Sequence, residues 1–332
     1  LFFFFFGIRA FIFMPLAGAL VQRFGCKKVV ITGATLMALI SVLLSCLPNI
    51  WSYAIALAFF VAVMGATDVS MNTNAVIVEK LAGRRLLSGM HAFWSIGCFA
   101  SAGLFSVLAS SGSNVTLIAT LHCAIVLALL AVFGRHLLDY KIPGGEKAFA
   151  IPRGIVIVLG ILACISFLVE GAVMDWSGVL LTEVKNMDIA LAGTGYAIFS
   201  VAMLIMRLLG DKTVQFLGEQ KAVIGGSIVT AAGFALVVVL DNLYLNAFAF
   251  ILIGLGCANI VPVFYSLLKY QKGMPISAAV TSVTSLGYTG VILGPALLGF
   301  VAHGINISAV FELVALLLVI EAGIAKYVFC KL

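Results

Sequence analysis

Several side chains able to carry charge or protons stand inside runs of apolar residues: Asp68, Glu79, Glu170, Asp175, Arg9 and Arg207. An ionised side chain at the centre of a bilayer costs about 2.5–3.5 kcal/mol on insertion scales, so each calls for a reason. Asp68 precedes Glu79 by eleven residues, about 16 Å of helix. Asn72 lies one turn beyond Asp68 and Glu79 three turns beyond, so all three share a face. That face is expected to line a central cavity; the alternative is an Asp buried purely for packing. Glu170 and Asp175 are five residues apart, about 140° around a helix, and cannot address one partner. Glu170, aligned with Met174 and Ser177, is the better proton or substrate site, and Asp175 beside Trp176 fits a water interface.

Arg9 precedes Arg23 by fourteen residues, about 21 Å. It either meets an anionic group in a cavity or snorkels to the outer headgroups. Arg207 is one turn before Asp211, a spacing for a local ion pair at a helix end with a gating role. Histidine as a residue type has an ordinary pKa near neutral, which would suit His91 to proton coupling, although a lone surface histidine is often simply solvated. Trp94, Tyr196, Asn259, Tyr265 and Tyr288 offer hydrogen bonds and stacking surfaces to a polar solute, and each also suits core or interface. No metal or cofactor is expected. The four histidines (His91, His122, His136, His303) are dispersed, and the seven cysteines form no CxxC pair.

The elements that position these residues follow from composition. Hydrophobic residues make up 63% of the 332 and Asp, Glu, Lys and Arg only 10%, against about 25% charged in ordinary soluble domains. Such a chain lives in a bilayer, where every backbone polar group must be satisfied within its own helix or a closed barrel. A barrel needs alternating segments of about ten residues, whereas unbroken apolar runs dominate here. The fold is expected to be an all-α polytopic membrane protein with spans near 1–21, 29–47, 51–78, 89–110, 115–134, 153–174, 189–210, 222–240, 243–268, 276–302 and 305–325.

Charge alternates between the connections. Sixteen of nineteen Lys and Arg fall on one alternate set, Lys185 alone falls on the other, and Arg9 and Arg207 lie within spans. The positive-inside rule makes the basic set, and the C-terminus, cytoplasmic. The net charge of +6 is then a topology signal and does not indicate nucleic-acid binding. Leu1 lacks an initiator Met and a basic leader, so the start reads as cut. The polar stretch 135–152, with Pro143, Gly144, Gly145 and Pro152, is expected to be a cytoplasmic linker between an N-terminal bundle, 1–134, and a C-terminal bundle, 153–332.

The halves echo each other. Gly65-Ala-Thr-Asp68 answers Gly256-Cys-Ala-Asn259, and Trp94-Ser-Ile-Gly97 answers Thr284-Ser-Leu-Gly287. The loop Gly18-Ala-Leu-Val-Gln22-Arg23-Phe-Gly25-Cys-Lys27-Lys28 resembles the GxLxDRxGRK signature of the major facilitator superfamily, and Gly210-Asp211-Lys212 through Gly218 to Lys221 occupies the matching loop of the second half. Asp68-Val-Ser-Met-Asn72, His91-Ala-Phe-Trp-Ser95-Ile-Gly97, Glu170-Gly-Ala-Val-Met-Asp175-Trp176-Ser177 and Gly287-Tyr-Thr-Gly290 resemble its bacterial MosC/YbjJ-like branch. The resemblance covers nearly the whole chain. It implies two pseudo-symmetric bundles with 11 of 12 helices present, the first being absent. Gln22 stands where the signature has Asp, and Cys26 where it has a basic residue, which weakens the charge-assisted latch ascribed to this loop.

The resemblance implies a secondary transporter in the bacterial inner membrane, monomeric, moving a small sugar- or inositol-like solute by alternating access with proton coupling. Substrate and proton would engage Asp68, Asn72, His91, Trp94, Glu170, Asp175, Asn259, Tyr288 and Arg9; gating would involve Gly18, Gln22, Arg23, Gly25, Lys27, Glu79, Arg207 and Asp211. Drug or metabolite efflux and a non-transporting remnant are the competing readings. An embedded hydrolase or transferase would need HExxH or GxSxG, and neither occurs.

Overall fold

A computed structural model describes residues 19–21, 23–141 and 152–330, and among them it contains helices and no strands. The helices are α1 (Cys26–Leu44), α2 (Ile50–Ala82), α3 (Leu87–Ser110), α4 (Val115–Phe133), α5 (Ile155–Val179), α6 (Thr194–Leu217), α7 (Glu219–Val239), α8 (Leu243–Cys257), α9 (Ile260–Leu267), α10 (Ile276–Gly304) and α11 (Ile307–Phe329). A π-helical turn, Leu180–Val184, prolongs α5. Nine helical stretches among the described residues, with α8 and α9 taken as one, are long and apolar enough to cross a membrane. The remaining long helix, α6, carries Arg207, Asp211 and Lys212. Each expected span from 29–47 onward overlaps one of these elements, except that 243–268 covers both α8 and α9. The span at 1–21 lies almost entirely outside the described residues, as do Arg9, Gly18 and Gln22.

Helix ends follow local chemistry. Asn114, Asn242 and Asn306 cap α4, α8 and α11 by accepting the backbone N–H groups of Leu117, Tyr244 and Ala309 at 2.8, 2.9 and 2.8 Å. Gly25 and Gly218 instead break the chain at the two related loops, with φ/ψ of 85°/154° and 84°/155°. Both donate to the carbonyl four residues earlier, Val21 and Val214, at 2.8 and 2.9 Å. The repeat read from the sequence is thus repeated in backbone geometry, and a positive φ explains glycine at both places.

The chain divides into two compact units. One comprises residues 1–82, 96–152 and 272–285, and the other 83–95, 153–271 and 286–332, so α3 and α10 each contribute to both. In the first unit α1 packs on α2 and α4. The backbone N–H of Cys26 donates to Tyr140 O at 2.9 Å, and Lys27 Nζ donates to Arg135 O at 2.8 Å, which fastens the start of α1 to the segment after α4. In the second unit α8 packs on α6 and α7, and α11 on α5 and α7. Helices in lipid gain little from hydrophobic burial against each other, so close backbone approach at small residues carries the packing. A Cβ on Gly226 would lie 2.5 Å from Gly256 O, and one on Gly233 would lie 2.9 Å from Ala249 O.

The two copies of the Gly-x-x-Asp/Asn segment differ in backbone. α2 runs unbroken through Gly65–Asp68, whereas the helix is interrupted at Ala258 and Asn259, between α8 and α9. Pro262 has no N–H to offer the carbonyl of Ala258 four residues earlier, and its ring crowds that carbonyl.

Candidate functional site

The second unit assembles a charged site around Arg207. This side chain on α6 is 6% exposed. Its Nη2 lies 3.0 Å from Glu170 Oε1 on α5, its Nη1 donates to Ser95 Oγ on α3 at 3.3 Å, and its Nε donates to the Ala258 carbonyl at 3.3 Å. One guanidinium therefore ties together three helices and the break between two more. The carbonyl it uses is the one that Pro262 leaves without a helical partner, so the proline and the arginine are two halves of one arrangement. The fixed fork of guanidinium donors suits this several-sided contact.

The expected local pair between Arg207 and Asp211 does not form. Arg207 turns to Glu170, and Asp211 accepts the backbone N–H groups of Ser88 (Oδ1, 3.1 Å) and Gly89 (Oδ2, 2.9 Å). Those are orphan donors in the first turn of α3, and a carboxylate there meets the positive end of the helix. Residues four apart can reach one another, but two partners elsewhere offer charge neutralisation in one case and two N–H donors in the other. Arg85 adds an ion pair with Glu219 at 3.0 Å near the same end. Gly210 permits this closeness: a Cβ there would collide with the Asn259 amide oxygen and lie 2.7 Å from Ser88 Cβ. Asn259 itself is 5% exposed and its Oδ1 has no hydrogen-bond partner.

His91, one turn from Ser95 on α3, is part-buried; its Nδ1 contacts Leu87 O at 2.9 Å, and its ring lies 6.0 Å from that of the buried Tyr265. Tyr288 packs edge-on to Phe167 at 5.7 Å, one turn before Glu170 on α5. His91, Glu170, Arg207, Asp211, Asn259 and Tyr288 thus all belong to this unit. Asp175 and Trp94 stand apart from the charged contacts and are exposed, Trp94 by 56%.

Asp68, Asn72 and Glu79 belong to the other unit. Asn72 Nδ2 donates to Asp68 Oδ1 at 3.2 Å and to Asp68 O at 3.1 Å, so these two residues meet across one turn of α2. Asn72 and Glu79 are buried there, at 6% and 2% exposure. Arg23 lies over the Phe24 ring at 5.2 Å, and Gly25 and Lys27 belong to the fastened start of α1 described above.

Sequence reasoning passed over Ser95 and Ala258 as partners of Arg207, since neither spacing nor residue type marks them. It also passed over Glu321, an acid within the last apolar run. The cost of an intramembrane charge was signal enough to find that residue. Among the described residues no group of three or more His, Cys, Asp and Glu is arranged to hold a metal ion.

Comparison with known proteins agrees with this architecture. The Major Facilitator Superfamily model matches residues 1–287. An uncharacterised MFS-type transporter of Yersinia pestis is 38% identical over 97% of this chain and 84% of its own. The membrane protein MosC of Rhizobium meliloti is 28% identical over 95% of this chain and 76% of its own. Among solved structures, the human organic anion transporter MFSD10 superposes with a TM-score of 0.79 at 16% identity, covering 98% of this chain and 82% of that one. The E. coli fucose:proton symporter FucP superposes with a TM-score of 0.74 at 16% identity, covering 99% and 91%. With its helical fold, intramembrane charges and repeated glycine-broken loops, the chain belongs to the Major Facilitator Superfamily of membrane transporters.

Proposed function

We propose that this transporter moves a small polar solute, sugar- or inositol-like, across the bacterial inner membrane by alternating access, and that a proton gradient drives it. The observation that carries the reading is the Glu170–Arg207 pair. A guanidinium held at 6% exposure by a carboxylate, a hydroxyl and a proline-freed carbonyl is costly to keep in a membrane without a task. Protonation of Glu170 would cancel one charge of the pair and free Arg207 Nη2 for a solute oxygen, leaving the Ser95 hydroxyl and the Ala258 carbonyl as its protein partners. Such a change gives a proton and a solute different affinities for two conformations, which is what coupling requires. The fucose:proton symporter among the similar folds accords with this chemistry.

In this reading the bundles are 1–134 and 153–332, joined by 135–152. The ends carrying the basic loops, including the C-terminus, face the cytoplasm. Asp211 on the first turn of α3, Arg85 with Glu219, and the close approach at Gly210 form a cytoplasmic gate that holds while its capping contacts last. Asp68, hydrogen-bonded to Asn72, is the second candidate for proton binding.

The test is uptake into proteoliposomes under an imposed proton gradient, with hexoses, pentoses and inositols offered in turn. Gradient-dependent accumulation of one solute class is expected, lost in Glu170→Gln while solute exchange without a gradient persists. Accumulation unaffected by collapsing the gradient would sink the coupling, and no flux of any of these solutes would sink the solute class. Unchanged gradient-driven flux in Asp68→Asn would remove that residue from the coupling.

A further inference from the structure

Glu321 on α11 is 0% exposed. Two serines on two other helices approach its carboxyl: Ser166 Oγ on α5 donates to Oε1 at 2.7 Å, and Ser227 Oγ on α7 donates to Oε2 at 3.4 Å. Ser166 and Ser227 are themselves buried, at 3% and 0% exposure. The elements packed against α11 carry other titratable and charged groups: Glu170 and Asp175 on α5, Glu183 in the π-helical turn, and Glu219 and Lys221 on α7. α11 itself carries Glu312, Lys326 and Tyr327. None of these bonds the Glu321 carboxyl, and the described ion pairs involve other residues. The Cys257 thiol at the end of α8 lies within electrostatic reach of Glu321 and also of Glu170 and Arg207.

A carboxylate so enclosed, with two hydroxyls and no cationic side chain bonded to it among the described residues, would bear a full desolvation cost that two neutral hydrogen bonds do not offset. Binding a cation removes that charge. An alkali ion needs several more oxygens, which transporters draw from unwound backbone carbonyls. α5, α7 and α11 run without interruption through Ser166, Ser227 and Glu321, so their carbonyls are engaged in helix bonds. A proton needs no further ligand. On protonation at Oε2, the acid O–H can donate to Ser227 Oγ across the longer contact, and Ser227 then turns its own hydrogen toward a carbonyl of its preceding turn. Ser166 continues to donate to Oε1.

We propose that Glu321, Ser166 and Ser227 form a proton-binding site separate from the Glu170–Arg207 pair, occupied in the conformation described. Ser166 is one turn before Glu170 on α5, so movement of α5 that disturbs one acid disturbs the other. The Glu321 proton also holds α11 to α5 and α7 through neutral hydrogen bonds; its loss would leave a charge that parts those helices.

The experiment is infrared difference spectroscopy of the full chain in detergent, with Glu321→Gln and Ser166→Ala as references, and requires no transport activity. A C=O stretching band of a protonated carboxyl is expected at neutral pH, absent in Glu321→Gln, displaced in Ser166→Ala, and reversibly lost at alkaline pH. Absence of such a band from wild-type protein, or its persistence in Glu321→Gln, overturns the proposal. Thermal unfolding supplies the second readout. Glu321→Gln, which mimics the neutral acid, should unfold near the wild-type temperature, and Glu321→Ala at a lower one. Equal losses in the two variants would mean that the charge is required, and a sodium-dependent rise absent from Glu321→Gln would assign the site to that ion instead; either refutes protonation. Because these measurements involve no solute, their failure is distinguishable from failure of the transport reading.

Discussion

Replacing Glu170 by Gln keeps the side-chain size and removes its charge, leaving Arg207 a cation with a hydroxyl and a carbonyl for company. The Arg207 side chain is 7% exposed and that of Glu170 27%, at 3.0 Å separation. Removing one member of a buried pair costs about 3–5 kcal/mol because the other charge is left uncompensated. The partial exposure of Glu170 places the expected loss at about 3 kcal/mol, the lower end of that range. Replacing both members removes both desolvation costs. Glu170→Gln/Arg207→Gln should therefore be more stable than Glu170→Gln alone, with a coupling energy of about 1–3 kcal/mol in a double-mutant cycle. Thermal unfolding in detergent, followed with a thiol-reactive dye, suits the buried Cys26, Cys123 and Cys257. An unfolding midpoint in Glu170→Gln equal to wild type, or a double variant whose loss equals the sum of the singles, would refute the claim that the pair neutralises a buried charge.

Gly210→Ala places a methyl against Asn259 and Ser88, and overpacking of this kind should cost about 1–3 kcal/mol, read by the same unfolding assay; gradient-driven flux should also change because the helices part. Asp211→Ala removes both acceptors from the first turn of α3 and should cost about 0.5–2 kcal/mol. Asp211→Asn, which retains one good acceptor, should lose only the helix-dipole contribution of about 0.3–1 kcal/mol, so equal losses in the two would contradict the capping role. Pro262→Ala restores an N–H for the Ala258 carbonyl and makes it compete with Arg207; an unchanged or raised unfolding temperature with reduced transport is expected, and undiminished transport would show that the freed carbonyl is idle.

Helical class, the placement of the apolar elements from residue 29 onward and the loop repeat were legible in the sequence because each rests on local physics. Twenty apolar residues can satisfy their backbone in lipid only as a helix, and glycine at the two loops is required by a positive φ at Gly25 and Gly218. The link between Asp68 and Asn72 was legible for the same reason, since it follows helical periodicity within α2. Spacing failed at Arg207. The i,i+4 distance to Asp211 was correct, but each side chain found a partner far along the chain: Glu170 is 37 residues from Arg207, and Ser88 is 123 from Asp211. Which of several reachable partners a charge takes depends on how much desolvation each contact offsets, and that is decided by the helices brought beside it. Glu321 shows both sides. Its presence in an apolar run was plain to read, but its enclosure by Ser166 and Ser227, 155 and 94 residues away, exists only once α5, α7 and α11 have packed together.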